Sequence, residues 1–254
     1  RVAHRRVDFV GAGLCALGLG GFVFALIEQP HYGWSSPVIF VPLVGGVVAF
    51  VAFLGYERRA AEPMLKLELF SRRNFAVGNA ETLALYAGLA ILFFFLVIFL
   101  QQVAGYTALE SGLTILPVTV VIFSLSRRFG ALADRYGPRL FMGAGPLLSA
   151  AGILLLLRVD MSTSYVADLL PALLVFGLGL SLTVAPLTAT VLADADETDA
   201  GIASAINNAV ARVAGLVGVS VVGVVVAGTR VGDTFAANDE SVRAFHQVVV
   251  ICAV

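Results

Sequence analysis

Long apolar stretches, separated by short polar segments, run through the whole chain. A helix that crosses a bilayer needs about 20 consecutive apolar residues. Each stretch is apolar on nearly every face, whereas the helices of a soluble bundle carry a single apolar stripe. The pattern predicts an all-α, polytopic transmembrane helix bundle with about seven full spans and the start of an eighth near Val248. The seven predicted spans are Val10–Ile27, Val38–Tyr56, Phe75–Gln101, Gly112–Ser126, Leu140–Leu157, Leu169–Leu192 and Ile202–Ala227.

The composition agrees with this pattern. Hydrophobic residues make up 59% of the chain and charged residues 13%, whereas a soluble domain has about 45–50% and about 25% of these classes. The expected partner of the chain is therefore the lipid bilayer. No nucleic-acid partner is expected.

Basic residues are concentrated in alternate connecting segments, which predicts the orientation of the chain. Residues 1–6, 57–74 and 127–139 together hold twelve Lys and Arg residues, whereas the opposite connections hold three. Short cytoplasmic loops carry the excess of basic residues. These three segments are therefore predicted to be cytoplasmic. Residues 193–200 fall on the same side, although they contain no Lys or Arg.

Ionisable groups inside a predicted span are costly and indicate functional sites. Glu81 lies within the third span, and Arg212 lies close to the middle of the seventh. Asn208 shares a helix face with Arg212, since four residues separate them, and Asn207 is adjacent. We consider these four residues candidates for a substrate or proton pathway.

Two interpretations of the charged candidates stay open. Glu81 is either a proton site or a contact for a cationic substrate, because a carboxyl group in a low-dielectric cavity binds protons more readily. Otherwise it is a hydrated vestibule residue. Arg212 either acts as a counter-ion for a carboxylate or lines the cavity. Otherwise it is structural, in an ion pair or in a hydrogen bond to helix carbonyls. A pair between Glu81 and Arg212 is conceivable.

Metal chemistry and soluble-type catalysis have no residues to support them in this sequence. Cys15 and Cys252 lie in apolar stretches, without a second thiolate or a histidine at metal-ligand spacing. No HExxH, P-loop, GxSxG or CxxC pattern occurs. We therefore expect no metal, no cofactor and no catalytic residues, and the chain is not expected to be an enzyme.

The charged segment 126–140 carries the most specific motif, Gly130-x-x-x-Asp134-Arg135-x-Gly137-x-Arg139. It closely resembles the signature loop of the major facilitator superfamily. Three further stretches are similar to parts of the fourteen-helix drug:proton antiporters. Residues 8–13 resemble the start of the first extra central helix, and residues 57–75 resemble the linker that follows the two extra helices. Residues 201–215 resemble helix thirteen. The resemblance covers essentially the whole chain.

The resemblance implies a domain organisation. Residues 1–74 would form the two extra helices and a cytoplasmic linker, and residues 75–254 the carboxy-terminal transmembrane half, truncated in its last helix. The chain would then be a piece of a longer protein whose amino-terminal six-helix half is missing here. Gly130, Asp134, Arg135, Gly137 and Arg139 would form a cytoplasmic gating loop, in which the glycines allow close approach and a tight turn.

The function implied by the resemblance is proton-coupled multidrug efflux. Hydrophobic or cationic compounds would be exported by alternating access, with the proton gradient as the energy source. Two alternatives remain: export of an endogenous metabolite by the same kind of protein, and a non-transporting membrane scaffold. An integral membrane enzyme would need intramembrane Asp, His or Ser constellations, which the sequence lacks.

Overall fold

The computed structural model describes residues 8–60, 63–193, 199–226 and 238–253, and this part of the chain contains helices and no strands. Seven of its helices are long and apolar enough to cross a membrane, which confirms the predicted all-α polytopic bundle. The helices are α1 (Phe9–Tyr32), α2 (Pro37–Glu57), α3 (Arg73–Gln102), α4 (Ala108–Tyr136), α5 (Pro138–Leu155), α6 (Leu170–Ala193), α7 (Ala200–Val226) and α8 (Asp239–Ala253). Short helical turns lie at Leu67–Ser71, Leu156–Arg158 and Tyr165–Leu169.

Two helices differ from the sequence prediction. The span predicted at Gly112–Ser126 is part of a longer helix, α4, which begins at Ala108 and continues to Tyr136. The helix that was predicted to start near Val248 begins at Asp239. The predicted cytoplasmic residues 1–6, and residues 194–198 of the predicted segment 193–200, lie outside the described residues.

Local side-chain chemistry explains where α4 begins and ends. Thr107 and Glu110 form a capping box, in which Thr107 Oγ1 accepts from the Glu110 amide and the Glu110 carboxylate accepts from the Thr107 amide. A capping box satisfies two free donors at a helix start. At the other end, Gly137 has φ +89° and Pro138 follows it as the first residue of α5. A left-handed glycine ends a helix readily, and proline favours the first position of the next.

Glycines bring α5 and α6 into close contact. A Cβ on Gly152 would overlap the backbone of Phe176, and one on Gly145 would lie 3.0 Å from the carbonyl oxygen of Gly179. Small residues allow helices to approach in lipid, where no hydrophobic force drives them together. Gly145 directly precedes Pro146 in α5, so this part of α5 acts in helix packing.

The same type of packing joins α3 to α7. A Cβ added to Gly218 would lie 3.1 Å from the methyl group of Ala87 on α3, and one added to Gly215 would lie 3.2 Å from the methyl group of Ala90. These contacts fix which face of α7 is turned toward α3. They also fix which face carries the polar candidates.

The remaining arrangement consists of a hairpin beside a bundle. Helices α1 and α2 pack closely against each other through Gly18, Gly21 and Gly46, and α1 also contacts α7. In the bundle, the largest buried cluster lies between α3, α6 and α8, where Phe99 stacks on Phe245. Many large apolar side chains remain outside this core, as expected for surfaces that face lipid rather than water.

Candidate functional site

Arg212 lies in a polar pocket of about 340 Å³ on α7. It is twelve residues from the start of α7, or about 18 Å along the axis at 1.5 Å per residue, so it is close to the middle of the span. Its side chain is exposed in the chain. Its guanidinium makes no ion pair or hydrogen bond within the part of the protein that the structure describes. The other described residues that line the pocket are Tyr86, Thr188, Ser204, Asn207, Asn208 and Ala211.

A long apolar groove of about 1030 Å³ begins at this polar pocket and runs between α1, α3 and α7. Tyr86, Ala211 and Arg212 line both spaces, so the polar pocket forms one end of the groove. Its walls are aliphatic and aromatic, including Leu26 of α1 and Phe93 of α3. Drug-sized ligand sites have this character: an apolar cleft of about 300–1,000 Å³ with a few polar groups that fix orientation.

The two asparagines of α7 have different contacts. Asn207 turns toward α3, where its amide nitrogen donates to Thr82 Oγ1 at 2.8 Å and to Asn79 Oδ1 at 3.3 Å. Thr82 and Asn79 are 1% and 3% exposed. Asn208 is exposed and donates to the carbonyl oxygen of Ser204 on its own helix. Asn207 therefore ties two helices together, and Asn208 remains on the open face beside Arg212.

Glu81 lies apart from this groove. It lines a small cavity of about 160 Å³ between α3, α5 and α8. Glu81 Oε1 is buried without a hydrogen-bond partner, and so is the hydroxyl oxygen of Ser149, which lines the same cavity. Two buried polar atoms without partners in one cavity are the arrangement that bound water satisfies.

The structure does not bring Glu81 and Arg212 together. Tyr86 of α3 lines the pocket of Arg212. Glu81 is five residues before Tyr86 on the same helix, so the two side chains point about 140° apart around the helix axis. No ion pair between Glu81 and Arg212 occurs among the described residues. The conceivable pair is therefore not formed, and the two charges belong to separate spaces.

The charged segment 126–140 is not a loop. Gly130, Asp134 and Arg135 lie on the last turns of α4, and Arg139 is the second residue of α5, so only Gly137 connects the two helices. The prediction of a gating loop is wrong in this respect. Between Ser126 and Gly137, α4 contains no proline and no glycine of positive φ, and Arg, Ala and Leu are good helix formers.

Other expectations for this segment have mixed outcomes. Position 137 favours glycine, because its φ of +89° disfavours any residue with a Cβ. A Cβ on Gly130 would meet Ala185 at 3.6 Å, which is ordinary contact, so the close approach expected there is absent. Asp134 is exposed, and the guanidinium of Arg135 lies 5.4 Å from the ring centre of Tyr136.

The segment also borders a cleft that leads to Glu81. This cleft of about 880 Å³ has Arg73 and Arg139 among its lining residues, with Glu81 lining it as well. Because Glu81 lines both this cleft and the small cavity with Ser149, the carboxyl group stands between the two spaces. Among the described residues, no group of three or more His, Cys, Asp and Glu could hold a metal ion.

Sequence reasoning missed a pair of carboxyl groups at the base of the α1–α2 hairpin. Glu57 is 3% exposed, although the sequence placed it at the start of the cytoplasmic linker. Glu57 Oε1 and Asp8 Oδ2 are both buried without a hydrogen-bond partner among the described residues. Both lie close to Gly11: a Cβ added there would be 2.6 Å from Glu57 Oε1 and 2.5 Å from Asp8 Oδ2. The signal in the sequence is an acidic residue that directly follows an apolar run.

Sequence reasoning also missed how the linker is attached. Glu57 Oε2 accepts from the amide of Leu65 at 2.9 Å. Lys66 then forms an ion pair of 2.6 Å with Asp199, the residue before α7. The linker is therefore bonded to α2 at one point and to the start of α7 at the next.

Comparisons with known proteins agree with this architecture. The family model described as Major Facilitator Superfamily matches residues 7–219. The chain is 32% identical over 223 residues to the multidrug resistance protein Stp of Mycobacterium tuberculosis, covering 88% of this chain and 41% of that protein. It is 33% identical over 230 residues to the puromycin resistance protein pur8 of Streptomyces alboniger, covering 88% and 45%.

A third relative is named for export. The chain is 29% identical over 218 residues to the cephamycin export protein CmcT of Amycolatopsis lactamdurans, covering 85% of this chain and 45% of that protein. The chain thus spans less than half the length of these relatives, which are bacterial transport or resistance proteins and not enzymes. Among the described residues, seven helices are long and apolar enough to span a membrane, and the family model matches most of the chain. This is a multi-pass bacterial membrane protein of the major facilitator superfamily.

Proposed function

We propose that this chain is part of a drug exporter of the fourteen-helix drug:proton antiporter type, which moves hydrophobic compounds across the bacterial plasma membrane. Helices α1 and α2 would be the extra central pair, and α3–α8 would belong to the carboxy-terminal half. The observation that carries the proposal is Arg212, a charged side chain exposed at mid-depth beside an apolar groove. A charge at that depth faces protein or a water-filled cavity and not lipid.

The partner of this face would be the amino-terminal six-helix half of the complete protein. The two halves would rock about a central cavity and so expose the groove to each side in turn. The names of the relatives support export or resistance as the function of such proteins. The segment around Gly137 and Arg139 would act in this cycle as a helix-to-helix hinge on the cytoplasmic side.

Proton coupling is assigned in this proposal to Glu81, and the proton gradient supplies the energy. Its carboxyl group borders a cleft on the side of Arg139 and a small cavity on the side of Ser149. One oxygen of this carboxyl group is buried without a hydrogen-bond partner among the described residues. A group that gains and loses a proton between two spaces is what coupling requires.

The test uses everted membrane vesicles that contain the product of the complete reading frame. Respiration acidifies the vesicle interior, and a pH-sensitive dye reports the release of protons when the neutral compound N-phenyl-1-naphthylamine is added. We expect compound-dependent proton release in the wild type and none with Glu81→Gln. The matched control is Glu110→Gln, which removes a carboxylate from the exposed capping box of α4 and should leave the response intact.

The result also separates the alternatives. Proton release that is unchanged in Glu81→Gln would remove Glu81 from the proton path. A wild-type protein without any compound-dependent response would favour the scaffold, which tolerates the loss of both Glu81 and Arg212. Loss of a single compound from the culture medium of the host after deletion of the gene would favour a metabolite exporter, which the name of the cephamycin relative supports.

A further inference from the structure

We infer that the groove between α1, α3 and α7 selects compounds with an apolar body and a negatively charged head, which Arg212 binds. This inference rests on the proposed export function and names its substrate class. The sequence expectation was hydrophobic or cationic compounds, and the inference departs from its cationic part. Three observations lead to it: the charges that line the groove, the donors around Arg212, and the depth of the pocket.

The first observation concerns charge. Arg212 is the one charged side chain among the described residues that line the groove and its polar end. The described residues of both linings include no Asp or Glu, and Glu81 lies on another face of α3. On this wall of the groove, a cationic substrate would meet a positive charge with no carboxylate among the described residues to offset it. An anionic one would gain an attraction that is strong in a water-poor space.

The second observation concerns hydrogen bonding. A guanidinium offers five donors in a fixed fork and binds carboxylate or phosphate groups in a bidentate manner. The guanidinium of Arg212 has no partner within the described part of the protein, so this capacity is unused. Asn208 and Tyr86 lie in the same pocket, whose volume of about 340 Å³ leaves room for a small head group and water.

The third observation concerns depth, and it argues against a lipid as the normal occupant. Arg212 lies about 18 Å along α7 from its first residue. A bilayer core is about 30 Å thick, so this position is near its middle. Phospholipid head groups lie at the membrane surface, so an acyl chain in the groove would leave the guanidinium unpaired. A small amphiphile that is fully inside the membrane region pairs it and fills the apolar walls at the same time.

The test uses two ions of the same shape and opposite charge: tetraphenylborate and tetraphenylphosphonium. Binding of each is measured by equilibrium dialysis to the complete protein in lipid nanodiscs, after subtraction of empty nanodiscs. We expect tetraphenylborate to bind more tightly to the protein. Arg212→Gln should weaken tetraphenylborate binding about tenfold or more, the effect of losing a charge–charge attraction in a water-poor space, and should leave the phosphonium unchanged or improved.

Two further variants keep the result interpretable. Arg212→Lys retains the charge and should retain part of the preference for the anion. Phe93→Ala shortens an apolar wall of the groove and should weaken both ions to a similar degree. Circular dichroism and elution volume identify a variant that does not fold, and the conclusion then rests on Arg212→Lys and on the wild-type preference. Tighter binding of the phosphonium to the wild type, or an equal loss of both ions in Arg212→Gln, would overturn the inference.

These outcomes are distinct from failure of the proposed function. Binding requires no proton gradient, so the anion preference can hold in a protein that shows no proton release in vesicles. Proton-coupled export of N-phenyl-1-naphthylamine together with a preference for the phosphonium would leave the export proposal intact and reject the assignment of Arg212.

Discussion

Asn207→Ala should loosen the contact between α3 and α7. The amide of Asn207 is the donor in two hydrogen bonds to side chains of α3, at 2.8 and 3.3 Å. The acceptors, Thr82 and Asn79, keep their own bonds to the backbone of α3. The substitution therefore removes two interhelical bonds and leaves no donor on α3 without a partner.

The expected size follows from these contacts. Interhelical hydrogen bonds in a membrane protein are worth about 0.6 kcal/mol each on average, with a maximum of about 1.7. The longer of the two bonds is weak by geometry, so we expect a loss of about 1 kcal/mol in the free energy of unfolding. In a chain of this size, that corresponds to a fall in Tm of about 2–4 °C.

The neighbouring residue supplies the control. Asn208 donates only to the carbonyl oxygen of Ser204 on its own helix and is exposed, so Asn208→Ala should change Tm by less than the experimental scatter. The assay is thermal unfolding of the detergent-solubilised protein, followed by circular dichroism. An equal fall in Tm for both variants, or a larger one for Asn208→Ala, would refute the assignment of Asn207 as the tie between the helices.

Two further predictions concern glycines. Gly152→Ala should lower Tm, because its Cβ would overlap the Phe176 backbone. Overpacking of this kind should lower the free energy of unfolding by about 1–3 kcal/mol. The control is Gly143→Ala on the same helix, whose Cβ would meet nothing within 4 Å and which should be neutral or slightly stabilising. The packing account fails if the two alanines behave alike in thermal unfolding. Gly137→Ala should lower the free energy of unfolding by about 1–2 kcal/mol, because φ is +89° at this position. Gly130→Ala should be tolerated. Similar Tm values for these two variants would contradict the role of Gly137 as the connection between α4 and α5.

The spans could be predicted from the sequence because their cause is local. A run of about 20 apolar residues must be helical in lipid, since only then are its backbone groups bonded within the segment. The error at α4 arose where the apolar signal stops. Charged residues after Ser126 end the hydrophobic run, but they do not end the helix, which continues until Gly137 imposes a left-handed backbone.

The candidate site was predicted only in part, because a sequence does not fix how each helix is rotated. Arg212 and Asn208 were expected on one face, and the structure places them in one pocket. The spacing of four residues within a single helix is enough for that prediction. Glu81 is on a different helix, and the direction of its side chain depends on how α3 packs against α7 through Ala87 and Ala90. That packing is a tertiary property, so the separation of Glu81 from Arg212 could not be inferred from spacing.

The buried position of Glu57 was missed for a similar reason. A carboxylate next to Arg58 and Arg59 has the sequence appearance of a solvated linker residue. Only the fold of the hairpin brings it over Gly11, beside Asp8, and into contact with the amide of Leu65. Long-range contacts of this kind leave no periodic signal in the sequence.

The ion pair between Lys66 and Asp199 has a mechanical consequence for the whole chain. Asp199 directly precedes α7, which continues without a break to Val226 and carries Arg212 near its middle. A helix transmits displacement along its axis with little compression, since each turn is held by backbone hydrogen bonds. An axial movement of α7 therefore either pulls the linker with it or breaks this ion pair. The linker and the start of α7 are therefore expected to move together for as long as this ion pair is formed.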